Sequence, residues 1–197
     1  MNRWLGHVAA VHAAPALRAW LASPGSLTAR LRAHCRQFDV RLLRQDGAAC
    51  LADQALLVRL ARRGRVAERE VLLVCDGLPV VYAQTVVPAR RSRADWPFFN
   101  ALGSRSLGLA LFQDPRIERG TLQHARLSAH HALARRALAA LPSLDAASVF
   151  HARRCLYRRE RGLLLVTELF LPAIAQLMPR RRIDTEPDRQ QSDESIF

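Results

Sequence analysis

The sequence predicts an α+β fold: a single antiparallel β-sheet with helices packed at its edges. Three features predict it. Residues 69–88 read as two apolar, β-branched runs joined at Asp76-Gly77, a pair that tolerates the positive φ of a tight hairpin turn. A second pair of strand-like runs, residues 149–159 and 163–172, is joined at Arg161-Gly162. Short helical patterns, opened by proline or serine, stand around these runs.

The elements follow in chain order. Residues 15–22 suit a short helix, because Pro15 fits a first turn and Leu17, Trp20 and Leu21 share a face. Pro24-Gly25 stops it. Ser26 can then cap a second helix with Leu27, Leu31 and Cys35 inward. Residues 38–44 alternate, with Phe38, Val40 and Leu42 set against Asp39, Arg41 and Leu43; that is a half-buried strand, followed by a turn at Gly47. Residues 48–60 are ambiguous between helix and extended chain, and Arg62-Arg63-Gly64-Arg65 is a polar link into the hairpin.

After Pro88 comes a basic loop. Trp96, Phe98, Phe99 and Leu102 then predict a helix with Pro97 in its first turn and Gly103 at its end. In the apolar segment 104–112, Leu107-Gly108 lets the backbone pass close to a core wall or a ligand. Residues 117–127 read as one strand and 129–141 as a helix of strong helix formers ended by Pro142. Strand 149–159 puts Val149, His151, Arg153, Cys155 and Tyr157 on one face. Residues 1–178 are expected to form one domain. Residues 179–197, polar and poor in apolar side chains, are expected to be a disordered tail.

The chain has 197 residues, half of them hydrophobic, and a net charge of +13 carried entirely by arginine. Such charge suits either an anionic partner or an arginine-biased surface with an anionic small molecule in one pocket. The arginines are scattered in twos and threes, and no nucleic-acid-binding motif accompanies them, so nucleic acid is not expected. Cys35, Cys50, Cys75 and Cys155 show no metal-ligand spacing; free thiols in a reducing cytoplasm are expected. His7 and His12 interrupt the mildly apolar N-terminal segment, which argues against a signal peptide. No stretch approaches the roughly 20 apolar residues of a membrane span.

Two apolar strands each carry one charge of opposite sign. Arg69 shares a face with Val71, Leu73 and Cys75; Glu168 shares one with Leu164, Val166 and Phe170. A charge on such a strand requires a counter-charge or a ligand. Either the two form a buried salt bridge, or they line a closed pocket in which the guanidinium holds a carboxylate and Glu168 meets a hydroxyl or a proton. No residue pattern implies a metal or nucleotide cofactor.

Four blocks in order carry a family resemblance: Arg69-Glu-Val-Leu-Leu-Val-Cys-Asp-Gly, then Thr85-Val-Val-Pro88, then Leu102-Gly103 with Ser106-Leu107-Gly108, then Leu165-Val-Thr-Glu-Leu-Phe-Leu-Pro172. Together they resemble chorismate pyruvate-lyase, over roughly residues 17–173. The resemblance implies an antiparallel sheet enclosing its ligand under flap-like segments. It implies conversion of chorismate to 4-hydroxybenzoate and pyruvate, the first step towards ubiquinone, in the cytoplasm, by a monomer without a cofactor.

The family's ligand-contacting positions fall on Leu27, Arg69, Leu107 and Glu168, with Arg69 and Glu168 as the catalytic pair. Two departures stand out: Leu27 occupies a position that is often methionine, and Gln84 one that is often arginine. Residues 128–148 are longer than the family minimum. A rival reading is a small-molecule-sensing domain of similar fold, which requires a DNA-binding helix-turn-helix. The segment before Pro15 is too short to supply one.

Overall fold

The structure is a computed structural model that describes residues 3–61, 64–90, 92–145 and 149–177, with only the backbone of 92 and 93. The link at Arg62-Arg63 and the tail from residue 179 lie outside the described residues. One sheet contains β1 (Phe38–Ala49), β2 (Arg65–Cys75), β3 (Leu78–Pro88), β4 (Ile117–Arg119), β5 (Gln123–Leu127), β6 (Phe150–Arg159) and β7 (Gly162–Phe170). The pairings are all antiparallel, in the order β1-β2-β3-β7-β6, and β4 and β5 follow one another along the outer edge of β6. The predicted α+β class and single antiparallel sheet are thus observed.

The helices are short: α1 (Pro15–Leu21), α2 (Leu27–Arg32), α3 (Ala52–Ala55), α4 (Ser92–Asp95), α5 (Leu107–Gln113) and α6 (Ala132–Ala140). Both faces of the sheet are covered. On one, α1 and α2 pack on Val71, Leu73 and Val81, while the chain from Trp96 to Leu111 packs on Val87, Cys155 and Leu164. On the other, α6 packs on Leu72, Val74 and Tyr82, and α3 on Val66, Val86 and Leu165. A strand covered on both sides is apolar throughout, which is why β2, β3 and β7 read as near-continuous hydrophobic runs.

The hairpin turns where expected, with φ of 49° at Asp76 and 81° at Gly77. Elsewhere local chemistry overrides the sequence pattern. β1 does not turn at Gly47 but continues to Ala49, pairing Gly47 with Ala67. Leu43 is an extra residue between the Leu42–Val71 and Arg44–Glu70 pairs, and this bulge shifts the alternation that the sequence shows. The helix expected over residues 96–103 is a 3-10 turn at Phe99–Ala101, and α4 ends at Asp95. Trp96 precedes a proline and is held out of the helical region. The strand expected over 117–127 breaks at Gly120, which donates to the Leu156 carbonyl at 2.8 Å. A Cβ there would lie 2.9 Å from that same oxygen, so the chain dips where only glycine fits.

Candidate active site

The candidate site starts as a slot in the sheet. In register, Arg69 of β2 lies beside Thr85 of β3, which lies beside Val166 of β7. One pair further on, Val71 lies beside Ala83, Ala83 beside Glu168, and Glu168 beside Arg153 of β6. The central strand thus offers only Ala83 and Thr85 between longer side chains on either flank. Arg69 and Glu168 stand two strand spacings and two residues of register apart, roughly 12 Å between their backbones.

Two helices roof it. Ser26 caps α2, its Oγ accepting from the Ala29 N–H at 3.3 Å, and this sets Leu27 as the first helical residue, facing the slot. Leu107 is the first residue of α5 and also faces it. The roof is joined by a hydrogen bond between the Thr28 and Ser106 hydroxyls, 2.7 Å apart. The close neighbour of Gly108 is this other helix: a Cβ on Gly108 would stand 2.9 Å from Thr28 Oγ1 and 3.1 Å from Ser26 Oγ. Leu27, Arg69, Leu107 and Glu168 therefore all line one cavity. Its free volume is about 50 Å³, which is space for one or two waters.

Of the two arrangements that the sequence left open, the direct ion pair is absent. Arg69 and Glu168 form no salt bridge. Arg69, 2% exposed, donates through Nη2 to the carbonyls of Gly103 at 2.8 Å and Arg105 at 2.9 Å. Its Nε has no acceptor, and no described carboxylate pairs with it. Burial pushes its pKa down to about 10. Glu168 accepts instead from Arg153 Nε at 2.5 Å. Arg153 is itself buried, and its Nη1 donates to the carbonyls of Ser23 at 2.9 Å and Trp20 at 3.3 Å, in the segment leading into α2.

Two cavity arginines thus escaped the sequence reading, Arg153 and Arg119. Arg153 had a signal, since strand alternation placed it inward with Cys155 and Tyr157. Arg119 sits on a three-residue strand, where no period can be read. Cys155 and Tyr157 are kept neutral: burial raises both pKa values, against a smaller opposing effect of Arg119.

Gln84 lies on the opposite face of the sheet. It donates to Glu68 Oε2 at 2.5 Å and accepts from Gln54 Nε2 at 2.6 Å. A larger open cleft of about 1000 Å³, lined by Arg65, Arg90 and Arg161 among others, contains none of the predicted site residues. Among the described residues, no group of three or more His, Cys, Asp or Glu side chains could hold a metal ion.

Comparison with known proteins places this chain in a family. The family model described as chorismate lyase matches residues 2–183. The probable chorismate pyruvate-lyase of Ralstonia nicotianae is 47% identical over 162 residues, covering 81% of this chain and 83% of that protein. The protein of the same name from Azoarcus sp. is 48% identical over 165 residues, covering 82% and 86%. Among solved structures, the effector domain of PhnF from Mycobacterium smegmatis superposes with a TM-score of 0.52 at 18% identity, over 75% of this chain and 89% of that one. The C-terminal domain of a histidine utilization repressor from Pseudomonas syringae gives 0.50 at 14% identity, over 74% and 99%. The likeness to these regulator domains is one of fold, whereas the sequence relatives and the family model establish descent: the chain belongs to the chorismate lyase family.

Proposed function

We propose that this protein converts chorismate to 4-hydroxybenzoate and pyruvate, supplying the first step of ubiquinone biosynthesis in the cytoplasm. The observation that carries the reading is Arg69: a buried guanidinium with an idle Nε and no carboxylate partner among the described residues, in a small cavity with Glu168 across the slot. A buried cation without a counter-ion is costly unless a ligand brings one. A ring with a carboxylate at one end and a hydroxyl at the other meets both groups.

In the reaction, the C3–O bond of chorismate breaks and the C4 proton leaves. The new C3=C4 bond makes the ring aromatic, and the departing enolpyruvate takes up a proton at its methylene carbon to become pyruvate. Aromatisation supplies the driving force, so no cofactor is required. Arg69 holds a substrate carboxylate. Glu168, aimed by Arg153, receives the hydroxyl end of the ring or the C4 proton. Leu27 and Leu107 hold the ring flat and keep water out.

The test is to mix purified protein with chorismate and follow 4-hydroxybenzoate by absorbance and pyruvate by a coupled assay. Both products should appear in equal amounts. Chorismate bound without either product would sink the lyase reading and leave a binding module.

A further inference from the structure

The cavity carries more positive charge than one carboxylate needs. Its ionised side chains are Arg69, Arg119, Arg153 and Glu168. Arg153 is neutralised by Glu168, so two guanidiniums remain, Arg69 and Arg119. Arg69 is buried, whereas Arg119 is partly exposed. Its Nη1 donates to the Pro24 carbonyl, its guanidinium stands 5.7 Å from the Phe112 ring centroid, and its Nε is buried without an acceptor. No described carboxylate pairs with it. The Tyr157 hydroxyl and Cys155 thiol that lie near it are neutral. Two guanidiniums without carboxylate partners lining one cavity match a dianion, whereas a monoanion would engage only one of them.

We propose that Arg119 forms a second carboxylate subsite, which takes the enolpyruvyl carboxylate of chorismate while Arg69 takes the ring carboxylate. This rests on the lyase reading for the identity of the ligand. It assigns Arg119 to the part of the substrate that leaves, so Arg119 contributes to binding the dianionic substrate and not to holding the ring product. Its position on β4, beyond Tyr157, separates it from the Arg69–Glu168 axis that spans the ring.

The experiment compares three variants for chorismate turnover and for 4-hydroxybenzoate affinity by calorimetry. Arg119→Met should raise KM for chorismate about 10- to 100-fold, the loss of a charge-assisted hydrogen bond, and leave the Kd for 4-hydroxybenzoate within about twofold. Arg119→Lys, which keeps the charge, should recover part of the KM. Arg69→Met should weaken both ligands. Equal loss of chorismate and 4-hydroxybenzoate affinity in Arg119→Met would show a merely structural role and overturn the proposal, as would an unchanged KM. If the parent protein binds chorismate without turning it over, the lyase reading fails, yet the ratio of the two affinities still decides whether Arg119 holds a second carboxylate.

Discussion

Arg153 changes what Glu168 can do. A carboxylate gripped through one oxygen by a buried guanidinium is fixed in direction, and Arg153 is in turn fixed by two backbone carbonyls. Glu168→Gln should therefore lower kcat by about 10²- to 10⁴-fold, the usual range for a positioned proton-transfer group, with the fold retained by circular dichroism. Arg153→Met should lower kcat through a misaimed Glu168 while 4-hydroxybenzoate affinity changes less than it does in Arg69→Met; calorimetry beside steady-state kinetics separates the two. Arg69 and Glu168 were legible because a lone charge in an apolar strand stands out. Arg153 was only half legible: alternation set it on a face with Cys155 and Tyr157, but β6 carries four arginines and no local pattern says which one meets Glu168. The thiols are also a residue-scale matter. All four cysteines are buried, and burial raises the pKa of Cys50 to about 11. Thiol reagents should label the native protein slowly and react with four equivalents once it is unfolded.

At the scale of elements, the roof and the far side of the sheet do different work. The roof helices meet so closely that Gly108→Ala must push Thr28 or Ser26 aside. The expected result is a looser roof: a faster dissociation rate for 4-hydroxybenzoate in stopped-flow displacement, with little loss of overall stability. On the opposite face, Arg136 of α6 bridges two buried carboxylates, donating to Glu68 at 2.9 Å and Glu70 at 2.6 Å. Arg136→Met leaves both without that partner, and urea unfolding should show a loss of about 2–4 kcal/mol, with chorismate kinetics unchanged below the transition. The hairpin at Asp76-Gly77 and the cap at Ser26 were readable because each is decided by two or three adjacent residues. The bulge at Leu43 and the dip at Gly120 were not, since each is fixed by a partner strand distant in sequence.

For the whole molecule, the arginine surplus is not merely a surface property. Arg69, Arg153, Arg154 and Arg159 are buried and serve the interior, so composition alone misstated where the charge lies. The sheet divides its labour by face, with the candidate site on one and the polar network around Glu68 on the other, which allows the site to vary without disturbing the main polar anchor of α6. Among the described residues no helix is long and apolar enough to cross a membrane.

The smallness of the cavity has a kinetic consequence. A ring with two carboxylates fits a space of about 50 Å³ only if the lining side chains or the roof helices α2 and α5 give way. The roof hydroxyls share one neutral hydrogen bond, worth about 1 kcal/mol net, and Leu27 and Leu107 beneath are buried, so parting also exposes apolar surface and meets the drag of the surrounding solvent as it does. Turnover should then behave as a frictional process: kcat should fall in proportion to the relative viscosity set by added sucrose, and Thr28→Ala should weaken that dependence by making the parting too fast to limit the cycle.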